Sequence, residues 1–463
     1  MALPLVRFFI FIFFLPLLFA GCANLPSTEE VLSNSAGSTP RLASHRGLLT
    51  EKQSQAILES LKRRVGKKDI LERHLSVSEA VAGSPMVVGN AVKLLEDGPA
   101  TYKAMFDAIK RAKDHINVET YIFEDDEVGK AFADALLDKQ KNGVQVNLIY
   151  DSVGSINTPK SFFQRLEAAG VQVLEFNPVN PLASKKEWSL NRRDHRKIVV
   201  VDGMTAFTGG INISAVYSRA SFSRPRWHYE TRKDAGWRDT HVQIEGPVVA
   251  EFQKMFLETW QKQKGAPLAA KNYFPLLKEK GKLIVRAVGS SADVPVRQIY
   301  VQVLSAIMSA ENYIHLTNAY FVPDPQIIDA LKDAAKRGVE VKLVLPSFSD
   351  FWAVFHAGRS HYTDLLEAGV RIYEHKGALL HSKTAVIDNV WSTVGSTNMD
   401  WRSFLYNDEV NAIILGSEFA SKLDAMFARD LQESQEIKRE EWERRPVEFR
   451  MKEFAARMWE RLL

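Results

Sequence analysis

Two eight-residue stretches, HRKIVVVD at His195–Asp202 and HSKTAVID at His381–Asp388, share one spacing and decide how this chain is interpreted. Each reads histidine, one residue, lysine, four residues, aspartate. Residues two apart in a β-strand point to the same side, so each motif places an imidazole beside an ammonium group at a strand end. Apolar or β-branched residues follow each lysine, and Asp-Gly or Asp-Asn then predicts a hairpin turn.

The match between the two stretches continues downstream. Asn212 lies 17 residues after His195, and Asn398 lies 17 residues after His381, each in a turn that begins with glycine. One motif alone could arise by chance. Duplicated domains with histidines buried in the core or in turns would explain the similarity, but not why histidine, lysine and asparagine are kept together in both copies.

Four acidic residues accompany the histidines. Asp239 and Glu409 lie downstream of the first and second motif, and a carboxylate reaching back to each imidazole would fix its tautomer and orientation. Asp202 and Asp388 close the predicted hairpins, where aspartate is favoured. We therefore expect these last two to be structural parts of the motif rather than contacts to substrate.

The order of strands and helices is also repeated. INVETYIF (Ile116–Phe123) and NGVQVNLIYD (Asn142–Asp151) in the first half correspond to IHLTNAYF (Ile314–Phe321) and RGVEVKLVLP (Arg337–Pro346) in the second, with a helical stretch between the members of each pair. This order predicts an α/β fold. We expect two similar domains with pseudo-two-fold symmetry, each a mixed, largely parallel sheet flanked by helices.

The composition is that of a globular protein: 46% of the 463 residues are hydrophobic and 25% are charged. The formal net charge is only +4, from 60 basic and 56 acidic residues, which does not favour nucleic acid as a partner. No HExxH motif and no paired cysteines occur, so we predict neither a metal site nor a cofactor. A single cysteine excludes a disulfide within the chain.

The N-terminus has the features of a targeting segment. Arg7 precedes the apolar run Phe8–Ala20, which is short for a membrane span and fits a signal-peptide core. Small residues lead to Cys22, and the junction resembles a bacterial lipobox in which this cysteine carries the lipid. The alternative is an uncleaved signal anchor. Ala23 after the cysteine favours the outer membrane, and either interpretation tethers the body to a membrane of the cell envelope.

These observations predict five regions. Glu51–Val65 has helical apolar spacing, and we expect it to pack on the first domain. The regions are a signal peptide with lipobox (1–22), a spacer with an N-terminal helix (23–85), two similar domains (86–275 and 276–435) and a C-terminal amphipathic helix (436–463).

The residues of the two motifs suit phosphodiester chemistry. One imidazole would attack phosphorus while the other protonates the leaving alkoxide, and a second alcohol or water would then attack the phosphohistidine. Charge on the phosphoryl oxygens requires positive or amide donors. The candidates for this role are Lys197, Lys383, Asn212 and Asn398.

The paired motifs resemble the phospholipase D superfamily, and within it the bacterial cardiolipin synthases. The resemblance is carried by Asn191–Asn212, Trp237–Pro247, Asn318–Asp324 and Leu365–Asn411. It implies two phospholipase D-like domains and phosphatidyl transfer, in which two phosphatidylglycerol molecules give cardiolipin and glycerol. By resemblance to the wider superfamily, His195 is the expected nucleophile. Many such synthases begin with two membrane-spanning helices, whereas this chain has one signal-like segment.

Two other function classes remain open. A phospholipase D-type hydrolase or a nuclease would use the same catalytic residues, because only the attacking group, water or alcohol, differs. A non-catalytic lipid-binding scaffold is disfavoured because both motifs are complete. Three segments are candidates for contact with a lipid surface: the basic and aromatic stretch Ser218–Arg238, the aromatic-rich stretch Phe348–His361 and the C-terminal segment Val447–Leu463. The alternative for the second is packing in the core, and the alternative for the third is packing on its own domain.

Overall fold

The computed structural model describes residues 25–33, 40–66, 69–81, 83–180, 189, 191–218, 236–294 and 296–463. The predicted signal peptide, Cys22 and residues 219–235 of the basic and aromatic stretch lie outside the described residues. In the described part of the chain, no helix is both long and apolar enough to span a bilayer.

The described residues form strands and helices in alternation. The strands are β1 Leu42–Ser44, β2 Gly47–Leu48, β3 Met86–Leu95, β4 His115–Thr120, β5 Gln145–Asp151, β6 Gln172–Phe176, β7 Arg193–Asp194, β8 Ile198–Val201, β9 Thr205–Gly209, β10 Trp237–Arg238, β11 His241–Glu245, β12 Leu283–Ser290, β13 Tyr313–Asn318, β14 Phe321–Val322, β15 Glu340–Pro346, β16 Arg371–His375, β17 Leu379–Leu380, β18 Lys383–Ile387, β19 Trp391–Gly395, β20 Met399–Asp400, β21 Asn407–Leu415 and β22 Ser434–Glu436. The helices are α1 Thr28–Ser33, α2 Glu51–Val65, α3 Arg73–Val81, α4 Gly98–Arg111, α5 Glu127–Lys141, α6 Lys160–Ala168, α7 Val249–Lys262, α8 Gln298–Met308, α9 Pro325–Lys336, α10 Trp352–Arg359, α11 Tyr362–Glu367, α12 Trp401–Leu405, α13 Ser417–Gln432, α14 Arg439–Glu443 and α15 Val447–Arg457.

Each half contains the same seven-stranded arrangement. The spatial order is β6-β5-β4-β8-β9-β11-β3 in the first half and β16-β15-β13-β18-β19-β21-β12 in the second. In each half, the first three strands of this order pair in parallel. All later pairs, beginning with β4–β8 and β13–β18, are antiparallel. The predicted α/β fold with a mixed sheet in each half, flanked by helices, is confirmed.

The two halves share one sheet. β3 and β12 correspond in the two orders and pair with each other in antiparallel fashion, as a two-fold axis between them requires. A hydrophobic core runs beneath this junction and includes side chains of both motif strands, β8 and β18, together with α7 and α13. The halves therefore cannot separate without exposing a buried apolar surface.

The N-terminal region differs from two expectations. The region predicted as spacer contains α1 and the short strand β1, which pairs in parallel with β3. We expected α2 to pack on the first domain, but its Leu58 and Leu61 join the core of the second half, where Ile299 and Leu304 of α8 are also buried. The amphipathic spacing predicted the helix but carried no information on which domain its apolar side would contact.

Candidate active site

The two motif histidines lie at the junction of the halves. The amide of His195 donates to the Asp408 carbonyl (2.9 Å), and the amide of His381 donates to the Arg238 carbonyl (2.7 Å). Two short parallel pairings accompany these bonds, β7 with β21 and β10 with β17. Each histidine is therefore positioned by backbone from the opposite half.

The supporting carboxylates are exchanged between the halves. Nδ1 of His195 lies 3.0 Å from both carboxylate oxygens of Glu409, and Nδ1 of His381 lies 2.7 Å from Oδ2 of Asp239. We expected each carboxylate to reach back to the histidine that precedes it in sequence, and that expectation is wrong. The short β7–β21 and β10–β17 pairings bring each acid beside the other half's imidazole. Donation from Nδ1 leaves Nε2 of each ring with a lone pair.

The two carboxylates differ in their surroundings. Burial opposes ionisation of Glu409, but His195 and Lys197 outweigh it and hold its pKa below the usual range. Ser396 Oγ and Asn407 Nδ2 also donate to this carboxylate. Burial instead raises the pKa of Asp239 to about 6, although Lys383 opposes the shift. Glu409 is thus the more strongly ionised of the two.

The surroundings favour the neutral form of both imidazoles. Burial lowers the pKa of His195 to about 4, against the opposing effect of Glu409. Burial, Lys383 and Lys197 hold the pKa of His381 well below its usual range. Both lysines thus lower the pKa of each histidine, so the two motifs contribute to one electrostatic site. A neutral imidazole with a free Nε2 can act as a nucleophile.

The motif lysines line the same site. Lys197 Nζ donates to the carbonyl of His195 (2.6 Å), and Lys383 Nζ donates to the carbonyl of His381. Both are buried, and burial lowers the pKa of Lys197 to about 7 and that of Lys383 to about 8. Glu409 and Asp239 act against this effect of burial at both lysines. An anionic ligand would stabilise the charged forms further.

The two asparagines are not equivalent. Oδ1 of Asn212 accepts from the Ile122 amide (3.2 Å), and its Nδ2 donates to the Tyr217 hydroxyl (3.0 Å). The buried Oδ1 of Asn398 has no hydrogen-bond partner among the described residues. Asn212 therefore fixes the backbone beyond β4, whereas the acceptor oxygen of Asn398 is left without a partner among the described residues.

Asp202 and Asp388 lie in the hairpins, as expected. Asp202 and Gly203 have φ of 53° and 65°, and Asp388 and Asn389 have φ of 55° and 54°, values typical of two-residue hairpin turns. The Asp202 carboxylate accepts from the amides of residues 113–115, and that of Asp388 from the amides of residues 311–313. They bind the start of the neighbouring strands, β4 and β13, at the opposite end of each motif strand from the histidine.

Aromatic rings surround the histidines. The Tyr121 ring centroid lies 5.1 Å from that of His195, while Trp237, Tyr217 and Tyr320 lie 4.8, 5.8 and 6.1 Å from that of His381. The three tyrosines were not among the site residues predicted from the motifs. Tyr121 and Tyr320 directly follow β4 and β13, the strands beside the motif strands, so the strand order was the available clue.

A buried arginine adjoins the first motif. The guanidinium of Arg196 donates to the carbonyls of Glu409 and Ser290 and to Thr259 Oγ1. Arg196 thereby links the chain just before β8 to β21, the strand that carries Glu409. The second motif has Ser382 at the same position, so this connection belongs to the first half only.

The fold is similar to that of a phospholipid-synthesising enzyme of known structure. The chain aligns with phosphatidylserine synthase of Haemophilus influenzae Rd KW20 with a TM-score of 0.59 and 13% sequence identity, over 88% of this chain and all of that one. At this identity the likeness concerns the fold alone. It is consistent with the two-half architecture described above.

Sequence relatives define the family more closely. The family model described as cardiolipin synthase, PLD-like domain, matches residues 105–231 and 303–431, once in each half. Cardiolipin synthase of Alkalihalophilus pseudofirmus is 35% identical over 89% of this chain and 80% of its own length. The major cardiolipin synthase of Bacillus subtilis is 36% identical over 80% of this chain and 74% of its own length. The chain therefore belongs to the phospholipase D-like cardiolipin synthase family.

Proposed function

We propose that this chain is a phosphatidyltransferase that makes cardiolipin and glycerol from two phosphatidylglycerol molecules. The observation that carries the proposal is the exchange of carboxylates between the halves, which places a hydrogen-bonded histidine from each motif at their junction. The curated relatives that match most of the chain are named cardiolipin synthases, which supports the same reaction.

In the first step, Nε2 of His195 attacks phosphorus and forms a P–N bond. The P–O bond to glycerol breaks, and His381 protonates the departing alkoxide, a role typically worth a factor of about 10² to 10⁴ in rate. We assign attack to His195 because its partner Glu409 is the more strongly ionised carboxylate. Glu409 would stabilise the positive charge that the ring acquires. Lys197, Lys383 and the Nδ2 amide group of Asn398 would donate to the phosphoryl oxygens.

Protonation of His381 would accompany substrate binding. Burial and the two lysines hold its pKa low. A bound phosphodiester brings a negative charge beside the ring, and an opposite charge favours the protonated form. The substrate would thus prepare the acid that its own cleavage requires.

In the second step, a hydroxyl of the second phosphatidylglycerol attacks the phosphohistidine. His381 accepts the hydroxyl proton, the P–N bond breaks, and His195 returns to its neutral state. Water in place of the alcohol would give phosphatidic acid, the product of a hydrolase.

The location of the enzyme completes the proposal. A lipidated Cys22 would tether the chain to a membrane of the bacterial envelope, such as the periplasmic face of the outer membrane, with the body reaching its substrate at the lipid surface.

The test is the product formed from phosphatidylglycerol vesicles by the purified full-length enzyme. We expect cardiolipin and free glycerol in equal amounts. Phosphatidic acid as the sole lipid product would replace the transferase with a hydrolase of the same superfamily.

A further inference from the structure

The last helix exposes a continuous apolar stripe. Val447, Met451 and Phe454 lie in α15, and Met458 directly follows it. Their spacings of four, three and four residues place them on one side of the helix. Their exposed fractions are 67%, 67%, 69% and 66%. We call these four residues the α15 stripe. Soluble surfaces rarely carry such a row, and it indicates contact with another apolar phase.

The opposite side of α15 is firmly packed. Glu453 and Ala456 are buried, and Arg445 donates two hydrogen bonds to Glu453 (3.0 and 2.8 Å). The helix packs against α10, and Ala456 and Leu463 share a small core with residues of β14 and α10. The stripe is therefore presented outward by an anchored helix.

The helix that carries the stripe is connected to the candidate active site through Tyr320. This side chain packs on the small core beneath α15, and its ring lies 6.1 Å from that of His381. Its hydroxyl donates to Asp350 (2.7 Å), directly before the half-exposed Phe351 and Trp352 at the start of α10. Exposed apolar side chains thus adjoin the His381 side of the site.

Charge beside the stripe favours an anionic occupant. Arg450 and Arg457 flank it on one side. Arg450 donates to the Glu443 carbonyl, which leaves its charge unneutralised, and neither arginine forms an ion pair with a described residue. Lys452, by contrast, pairs with Glu448. Trp459 follows the helix and is partly exposed, as tryptophan is at lipid interfaces.

A second copy of the chain fits less well. In an antiparallel helix pair, the same flank of each helix faces its counterpart, so the arginines would oppose one another. In a parallel pair, Arg450 would face Ala455, which offers no opposite charge.

We propose that the α15 stripe, with Phe351 and Trp352, inserts into the surface of an anionic bilayer and sets the His381 side of the active site against the lipid headgroups. This proposal rests on the proposed function, because it concerns how a lipid phosphodiester reaches the histidine pair. It adds a second, orienting contact to any tether at the N-terminus.

The first test compares two forms of the same substrate. In the full-length enzyme, the double change Met451→Glu and Phe454→Glu should lower activity on phosphatidylglycerol vesicles by about tenfold or more, because each side chain loses apolar burial in lipid. Activity on dibutyryl phosphatidylglycerol, dissolved as monomers, should be unchanged. The control is Leu276→Glu, the same kind of change at a residue that is 82% exposed and lies beside α2.

Three outcomes would overturn the proposal: full activity of the double variant on vesicles, an equal loss on both substrates, or an equal loss in the control. A wild-type enzyme inactive on both substrates would instead contradict the proposed function.

A second test does not depend on turnover. In a Cys22→Ser background, Phe454→Cys or Leu276→Cys carries a fluorescent label, and phosphatidylglycerol vesicles contain a spin-labelled lipid as quencher. We expect quenching at position 454 and not at 276. Equal quenching at both sites, none at either, or a disulfide between copies at position 454 would overturn the proposal.

Discussion

At the residue scale, the pairing of each imidazole with the other half's acid makes the two motifs interdependent. His195 and Glu409 are 214 residues apart in sequence, and His381 and Asp239 are 142 apart. Neither half alone contains a complete histidine–carboxylate pair. The short contact strands β7 and β10 are what brings them together.

The shifted pKa values predict how the rate depends on pH. Above about pH 7 to 8 the free enzyme loses the protons of Lys197 and Lys383, so the positive charge that binds phosphate is lost and kcat/KM should fall. On the acid side, Asp239 is protonated near pH 6 and His195 near pH 4, which removes the orienting carboxylate and then the nucleophile. A profile measured with dibutyryl phosphatidylglycerol should therefore be bell-shaped.

Lys383→Arg is the control for the alkaline side, since an arginine keeps its charge at all these pH values. The residual activity of this variant should decline less above pH 8 than the activity of the wild type does. A wild-type profile that stays flat from pH 7 to 10 would contradict the role given to the lysines.

At the element scale, the hairpin aspartates connect each motif strand to its neighbour. Asp388 binds the backbone before β13, and Asp202 does the same before β4. Their contribution is to the position of the strands rather than to chemistry.

Substitution of Asp388 separates these roles. Asp388→Ala should lower the free energy of unfolding by about 1–3 kcal/mol, because three backbone amides lose their acceptor. Asp388→Asn keeps one acceptor oxygen and tolerates the positive φ, so it should be less destabilised. Both are measured by denaturant unfolding. A folded Asp388→Asn enzyme should keep its kcat, and a large loss of kcat without loss of stability would show that Asp388 acts on substrate.

Much at this scale could be predicted from sequence. The motif spacing predicted His195 near Lys197, which donates to the His195 carbonyl, although both residues precede β8 rather than lie in it. Asp202-Gly203 predicted the hairpin, because turn geometry is local. The exchange of Asp239 and Glu409 could not be predicted, since it depends on β7 and β10. These are strands of two residues whose partners lie in the other half.

At the scale of the whole molecule, the sheet and the central core join the halves into one body. The internal repeat predicted two similar domains, and the family model matches once in each half. It could not predict that β3 and β12 pair, or that α2 packs on the second half. Both features depend on contacts between the two domains, and such contacts produce no periodic pattern in the sequence of either domain.

The N-terminal segment gives a prediction for the intact protein in its cell. Cys22→Ser should abolish incorporation of labelled fatty acid, because the thiol is the group that would carry the lipid. Labelling is followed on the immunoprecipitated protein, with the wild type as positive control. Unchanged labelling would remove the lipobox interpretation and leave the uncleaved anchor.

The most direct measurement of the central claim, that both motifs act on one phosphorus atom, is to trap the covalent intermediate. Enzyme mixed with ³²P-labelled phosphatidylglycerol is quenched, and the labelled peptide is mapped. We predict label on His195, none in His195→Ala, and no turnover in either His195→Ala or His381→Ala, with both variants folded by circular dichroism. Label that persists in His195→Ala, or turnover retained by either variant, would contradict a single shared site.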